Sequence, residues 1–257
     1  MSSGVPSDAY AGLADHYHLI FADWHESMRR QSAALDGVVR AELGRGQLSV
    51  LDASCGIGTQ AIGLAQLGYR VHGTDLSPPA VERARREAAA LCVTATFGVA
   101  DMRALETEVD GAFDVVLSAD NAVAHLPTED DLALAARAMR AKLRDGGLLL
   151  VTVRAYDALL REKPRTSTPA VFDRPEGRRV VFHVFDWEPE GNAYRTNLFI
   201  LRETGGGWST LHWAARFRAW RRAELEHALA SAGFGEMRWW TPEESGFFQP
   251  LVTARRF

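Results

Sequence analysis

The stretch VLDASCGIGTQAIGLAQLGYRVHGTDLS, residues 50–77, constrains the fold more than any other part of the chain. A short apolar run breaks at Cys55-Gly56-Ile57-Gly58, a helical stretch follows, and a second apolar run ends at Asp75. Strands that are apolar on both faces belong to a parallel sheet covered by helices on both sides, joined by right-handed crossovers. The rhythm continues downstream. Strands are expected at 47–53, 70–74, 94–99, 113–119 and 148–153. Helices are expected at 59–67, closed by Gly68, and from Pro78 to about Cys92, with Ser77 as N-cap and proline in the first turn. Another is expected at 129–144, where Thr128 caps and acids in the first turn suit the helix dipole.

The flanks differ. Residues 1–45 read as a helical lid in two pieces, broken near Phe21–Asp23. Met28, Leu35, Val38, Val39 and Leu43 recur at helical spacing, and Gly44 stops the run. After Pro164 three β-like runs are separated by EPEGN and TGGG, which predicts an antiparallel insertion at about 170–220. RRAELEHALASAGF reads as a helix, and GEMRWWT with FQPLVTARRF as a closing hairpin. The expectation is therefore α/β: a doubly wound, seven-stranded, mostly parallel sheet over 46–257, with an N-terminal lid and a β insertion.

Composition removes several function classes. The 257 residues, 47% apolar and 24% charged, suit one large domain with an insertion. Net charge is −4 and no Lys/Arg block occurs, which disfavours a polynucleotide partner. The two cysteines, Cys55 and Cys92, make neither a disulfide framework nor a zinc site, and no metal is expected. The start, MSSGVPSDAY, shows no secretory signal, and no run reaches the roughly 18 apolar residues of a membrane span. A cytoplasmic protein acting on a small molecule is expected, with homo-oligomerisation left open.

Gly56, Gly58 and Ala61 satisfy G-x-G-x-x-A, and Asp75 is placed to accept hydrogen bonds from two ribose hydroxyls. That pattern alone also fits a dinucleotide reader, or a tight turn with no ligand. Asp52, four residues before the Gly turn, separates the ligands unless it merely caps a loop. At ~5 Å and an effective dielectric of ~20, a fixed carboxylate repels a diphosphate charge by roughly 3 kcal/mol and attracts an ammonium equally. S-adenosylmethionine (SAM) offers an ammonium, a sulfonium and a ribose, so the two acids favour it over NAD. Asp101 and Met102, after the third strand, suit an adenine amino group and ring. All these positions fall at successive strand ends, on the edge where open α/β sheets bind ligands.

LDASCGIGTQ and HGTDLSP resemble the first motif and second-strand acid of class I SAM-dependent methyltransferases. FDVVLSADNAVAHLP at 113–127, followed by GGLLLVTVRAYDALL at 146–160, resembles the glycine and glycine/sarcosine N-methyltransferases more closely. The resemblance covers roughly residues 10–160. It implies that Asp75, with Leu76 beside it, holds the ribose, and that Asp101 and Met102 hold the adenine. Ser54 and Gly56 would meet the methionine part, with His125 near it. Tyr10 and Tyr17 would descend from the lid, and Arg30, or Arg29, would pair with the cofactor carboxylate. Asn121 and Arg154 would bind the acceptor's carboxylate, with Tyr156 beside them. Asp120 departs from the family, which has Gly there, and an extra acid beside the acceptor favours a more cationic amine or guanidine.

Methyl transfer from a sulfonium needs alignment above all, and positioning alone supplies ~7–11 kcal/mol. A neutral amine attacks unaided, whereas a hydroxyl acceptor needs a general base. His125 is the first candidate base, with His183 and His212 behind it; the other readings of His125 are a cofactor contact or a structural histidine. Arg154 either grips a carboxylate or pairs with Asp120 or Asp157, and Asn121 is a ligand or a turn residue. Trp187, Trp213, Phe217, Trp239 and Trp240 wall a pocket or fill a core. N-methylation of an amino acid or related amine leads; O- or C-methylation and an NAD(P)-dependent oxidoreductase are the alternatives.

Overall fold

The computed structural model describes residues 12–44, 46–189 and 191–257, so Tyr10 lies outside the described residues. The five expected strands form as β1 (Ser49–Asp52), β2 (Arg70–Asp75), β3 (Thr96–Val99), β4 (Phe113–Ser118) and β5 (Leu143–Thr152). The insertion contributes β6 (Ala170–Phe172), β7 (Arg179–Trp187), β8 (Ala193–Thr204) and β9 (Gly207–Arg218), and the chain closes with β10 (Phe234–Trp240) and β11 (Leu251–Arg256). The main sheet has seven strands in the order β3-β2-β1-β4-β5-β11-β10, parallel except for β11. The insertion is a separate four-stranded antiparallel sheet in the order β6-β7-β8-β9.

Strand alternation builds two cores. Val50, Val115, Leu148 and Leu150 face one side and meet the helices Trp24–Leu43 and Thr59–Gln66 through Met28, Leu35, Val38 and Ile62. Leu51, Val116, Leu149 and Val151 face the other and meet the helices Glu129–Ala141 and Arg222–Ser231 through Leu132, Met139 and Leu225. Trp24 Nε1 donates to Thr59 Oγ1 at 2.9 Å, tying the long N-terminal helix to the one after the Gly turn. The 3-10 turn Tyr17–Ile20 leans on the small sheet, where Leu13, Tyr17, Leu19 and Ile20 pack with Val181, Leu198, Ile200 and Trp213.

Three boundaries differ from expectation for physical reasons. The helix expected to reach residue 144 ends at Ala141, because β5 begins at Leu143 and bends into register beside β4. Ser77 does precede the helix Pro78–Ala90, but its hydroxyl is buried and unpartnered among the described residues. The Asp75 carboxylate takes the capping role instead, accepting from Ser77 N at 2.9 Å. The short helices Leu105–Glu108, Tyr156–Glu162 and Pro242–Ser245 span too few turns for periodicity to reveal them.

Candidate active site

In the main sheet β1 lies between β2 and β4, so the chain leaves β1 and β4 towards opposite flanks and a crevice opens at their carboxyl ends. The first wall is the turn after β1. Gly56 has φ 52° and Gly58 φ 94°, left-handed values that favour glycine. A Cβ on Gly58 would meet Ile62 Cδ1 at 2.7 Å, whereas the space before Gly56 is open. A ligand can therefore approach the Gly56 backbone closely. The cavity there has a volume of about 1650 Å³. Single small-molecule sites hold ~300–1,000 Å³, so this one has room for a cofactor and an acceptor together.

Ser54, Gly56, Asp75, Leu76, Asp101 and Met102 line its first half. Asp75 accepts from Gly56 N and Ser77 N, both at 2.9 Å, one on each oxygen, and each oxygen keeps a second lone pair. Burial raises its pKa above the ordinary carboxylate value. Asp52 differs from expectation. It is fully buried behind the turn, off the cavity wall. Its Oδ1 accepts from Ser54 N at 3.2 Å, and its Oδ2 has no partner among the described residues. Burial, reinforced by the Asp75 charge, pushes its pKa up to about 7. The expected fixed charge is thus a carboxyl half-ionised near neutrality, and no described basic side chain pairs with either acid. Two buried carboxyls without a counter-ion make a site that attracts positive charge.

Other expected cofactor contacts are placed differently. Arg30 is exposed on its helix, as is Arg29, which pairs with Glu26; neither lines the cavity. The buried stripe of that helix runs Trp24, Ser27, Met28, Gln31, Leu35, Val38, so position 30 falls outside it. Gly58 shapes the turn without lining the cavity. Asp101 lines it, yet Arg103 grips both carboxylate oxygens and also reaches Asp131. Burial raises the Asp101 pKa, but the Arg103 hydrogen bonds and charge outweigh it, and the net shift is downward. Cys55 is buried, and burial holds its thiol well above the usual range.

The second half of the cavity is built by the loop after β4, the end of β5 and the small sheet. Asp120 and Asn121 take left-handed φ values of 53° and 68°, a strained pair on the cavity wall. Tyr17 Oη donates to Asp120 Oδ2 at 2.6 Å, Gln249 Nε2 to Oδ1 at 3.4 Å, and Asp120 N to Thr152 Oγ1 at 2.8 Å. Burial raises the Asp120 pKa, and Tyr17 and Arg154 offset part of that rise. Asn121 Oδ1 accepts from Arg154 N at 3.2 Å, which fixes the start of the loop that carries the arginine. Arg154 pairs with neither Asp120 nor Asp157 in an ion pair. Its Nη1 donates to Tyr194 Oη at 3.3 Å and its guanidinium lies 5.7 Å from the Phe185 ring centre and 5.6 Å from that of Phe217.

His125 lines the cavity edge-on to Phe217, and burial with the nearby Arg154 charge lowers its pKa to about 4. His183 also lines the cavity, while His212 sits exposed and bonded to Asn197. Tyr156 is buried behind the wall, its hydroxyl 3.1 Å from that of Tyr194. Of the tryptophans, Trp213 lines the cavity beside Phe217, whereas Trp187, Trp239 and Trp240 do not. Gln249, Tyr194 and Thr196 were not anticipated. Gln249 is 129 residues from Asp120 and reaches it only because β11 inserts beside β5, which no local pattern signals.

Residues 50–147 match the family described as a methyltransferase domain. Residues 50–147 thus carry a methyltransferase domain. A glycine/sarcosine N-methyltransferase of Parasynechococcus marenigrum is 34% identical over 138 residues, 54% of this chain and 48% of that protein. The chain thus spans about half the length of that relative. Among solved structures, Streptomyces venezuelae DesVI has a TM-score of 0.78 at 22% identity, covering 95% of this chain and 98% of that one. SAM-bound CalS10, an amino pentose methyltransferase from Micromonospora echinaspora, has a TM-score of 0.71 at 21% identity, with 91% and 92% covered. At these identities the two structures speak for the fold alone. The donor half fits SAM: Asp75 and an open glycine turn face one space, and the unpartnered carboxyl oxygen of Asp52 lies buried behind that turn. Among the described residues no helix is long and apolar enough to cross a membrane.

Proposed function

We propose that the chain methylates a nitrogen atom of a small-molecule amine. The observation that carries this reading is Asp120, a half-buried carboxylate on the cavity wall that Tyr17 and Gln249 hold and no arginine neutralises in an ion pair. SAM, when bound, supplies a methyl group activated by the positive sulfur. Most amines arrive protonated near pH 7, and an ammonium must lose a proton before its lone pair is free. Asp120 attracts that ammonium, and its raised pKa lets its carboxylate take the N–H proton. Asp75, Asp101 and Met102 hold the donor, and Ser54 and Gly56 meet its amino-acid end. Arg154, a guanidinium in an aromatic and phenolic setting, takes a carboxylate or hydroxyl oxygen of the acceptor.

A hydroxyl acceptor fits less well. It needs a base of substantial strength, and His125 is pushed down to about 4. The glycine/sarcosine relative is named an N-methyltransferase, which supports nitrogen. The test is product analysis after incubation with methyl-labelled SAM and a panel of amino acids, amino sugars and matched alcohols. Labelled N-methyl products are expected, and Asp120→Asn should lower kcat about 10²-fold with the rate no longer rising around the carboxyl pKa. Label appearing on oxygen or carbon, or full activity in Asp120→Asn, overturns the reading.

A further inference from the structure

The inner face of the small sheet carries a patch that the proposed mechanism leaves unused. Strand register places Thr196 opposite Phe185 on β7 and Ala215 on β9. The rows on either side are His183, Leu198 and Trp213, and Trp187, Tyr194 and Phe217. Residues two apart share a face, so these nine side chains form one grid. At its centre Thr196 and Ala215 are small, and rings stand around them. The result is a shallow niche with a polar floor. Thr196 is 5% exposed, lines the cavity, and its hydroxyl has no hydrogen-bond partner among the described residues. An unmet hydroxyl in such a place is a net cost to the folded state. A valine of the same shape avoids that cost, and the Thr196 residue lines the cavity, so the hydroxyl signals a ligand group.

Two more polar groups converge there. His183 lines the cavity, its ring lying flat against Phe185 at 5.9 Å. Burial and the Arg154 charge lower its pKa to about 4, so one ring nitrogen donates and the other accepts at neutral pH. Arg154 flanks the niche from the Phe185 and Phe217 side.

Building on the N-methylation reading, we infer that Thr196, His183 and Ala215 form a second acceptor subsite, which receives an oxygen-bearing group distant from the methylated nitrogen. The acceptor is then an amine with a hydroxyl or carboxylate several bonds from that nitrogen, longer than a two-carbon amino acid. Trp213 and Phe217 cover its carbon skeleton.

Titration calorimetry on the full chain with bound S-adenosylhomocysteine tests this, with three probes: glycine, an aminodeoxyhexose and glutamate. One of the two larger amines is expected to bind more tightly than glycine. Thr196→Val should shift the ratio of its affinity to that of glycine about tenfold against it. His183→Phe, which keeps the ring stack, should shift it the same way, and Thr196→Ser should restore the ratio. Loss confined to the aminodeoxyhexose identifies the group as hydroxyl, and loss confined to glutamate as carboxylate. A ratio unmoved by Thr196→Val and His183→Phe, or no preference for either larger amine, overturns the subsite. Tight binding without methyl transfer to nitrogen overturns the N-methylation reading and leaves the subsite. N-methyl transfer with an unmoved ratio does the reverse.

Discussion

Asp52 shows how one residue sets the chemistry of the donor half without touching the cavity. Its folded pKa of about 7 lies above the ordinary carboxylate value of about 4 because burial penalises the ionised form. Between those values the folded chain keeps a proton that the unfolded chain has lost. Its contribution to stability is therefore largest in acid and falls as pH rises from about 4 to 7, and Asp75 adds in the same direction. A cationic ligand has the opposite preference, because it favours the ionised carboxyl. SAM affinity should rise with pH, by up to about tenfold per unit, and level off above 7, with proton release seen by calorimetry in buffers of different ionisation enthalpy. Asp52→Asn should flatten that profile, weaken SAM by about 1–3 kcal/mol above pH 7, and leave the folded state no less stable there. A flat profile in the unmutated protein removes Asp52 from the account. The sequence placed this acid correctly at the end of β1 but could not report its depth, since whether it lines the cavity or lies behind it depends on how the turn folds over it. Arg30 is the contrary case: the apolar stripe of its helix already pointed away from it.

At the scale of the element, the turn between β1 and the following helix is held by backbone shape. Gly58→Ala forces φ 94° on a residue with a Cβ and pushes that carbon against Ile62. A loss of about 2 kcal/mol in urea unfolding is expected, together with weaker SAM binding, since Gly56 and Asp75 are fixed by the same turn. Unchanged stability and affinity would show that the turn tolerates the strain. The five parallel strands were legible because apolar runs of this kind have few other uses, and Thr128 announced its helix through a side chain that does accept from Asp131 N. The meander was legible as strands only. That it forms its own sheet, and turns Phe217, Trp213 and His183 toward the cavity, follows from register and docking, which leave no trace in a run of ten residues.

Considered as a whole, the molecule sets two carboxyls without a counter-ion at the carboxyl end of its main sheet, an arrangement that favours a cation over a diphosphate. A ligand that binds only the folded state raises stability by about 2.7 kcal/mol at a hundred times its Kd. SAM should therefore raise Tm by several degrees, and NADH at equal concentration should not. A shift with NADH and none with SAM would overturn the donor assignment. The number of strands, seven, was within reach of the sequence, because two terminal runs and five internal ones add up to it. The insertion of β11 between β5 and β10, and with it Gln249 beside Asp120, was not.

The two walls of the cavity come from two sheets with separate hydrogen-bond ladders, one lining it at its strand ends and the other with the side chains of one face. Substitutions on β7, β8 and β9 that keep Phe185, Tyr194 and Phe217 in the shared core leave the ladder of the main sheet intact. On such a plan one wall of the cavity can be re-lined while the other keeps its shape.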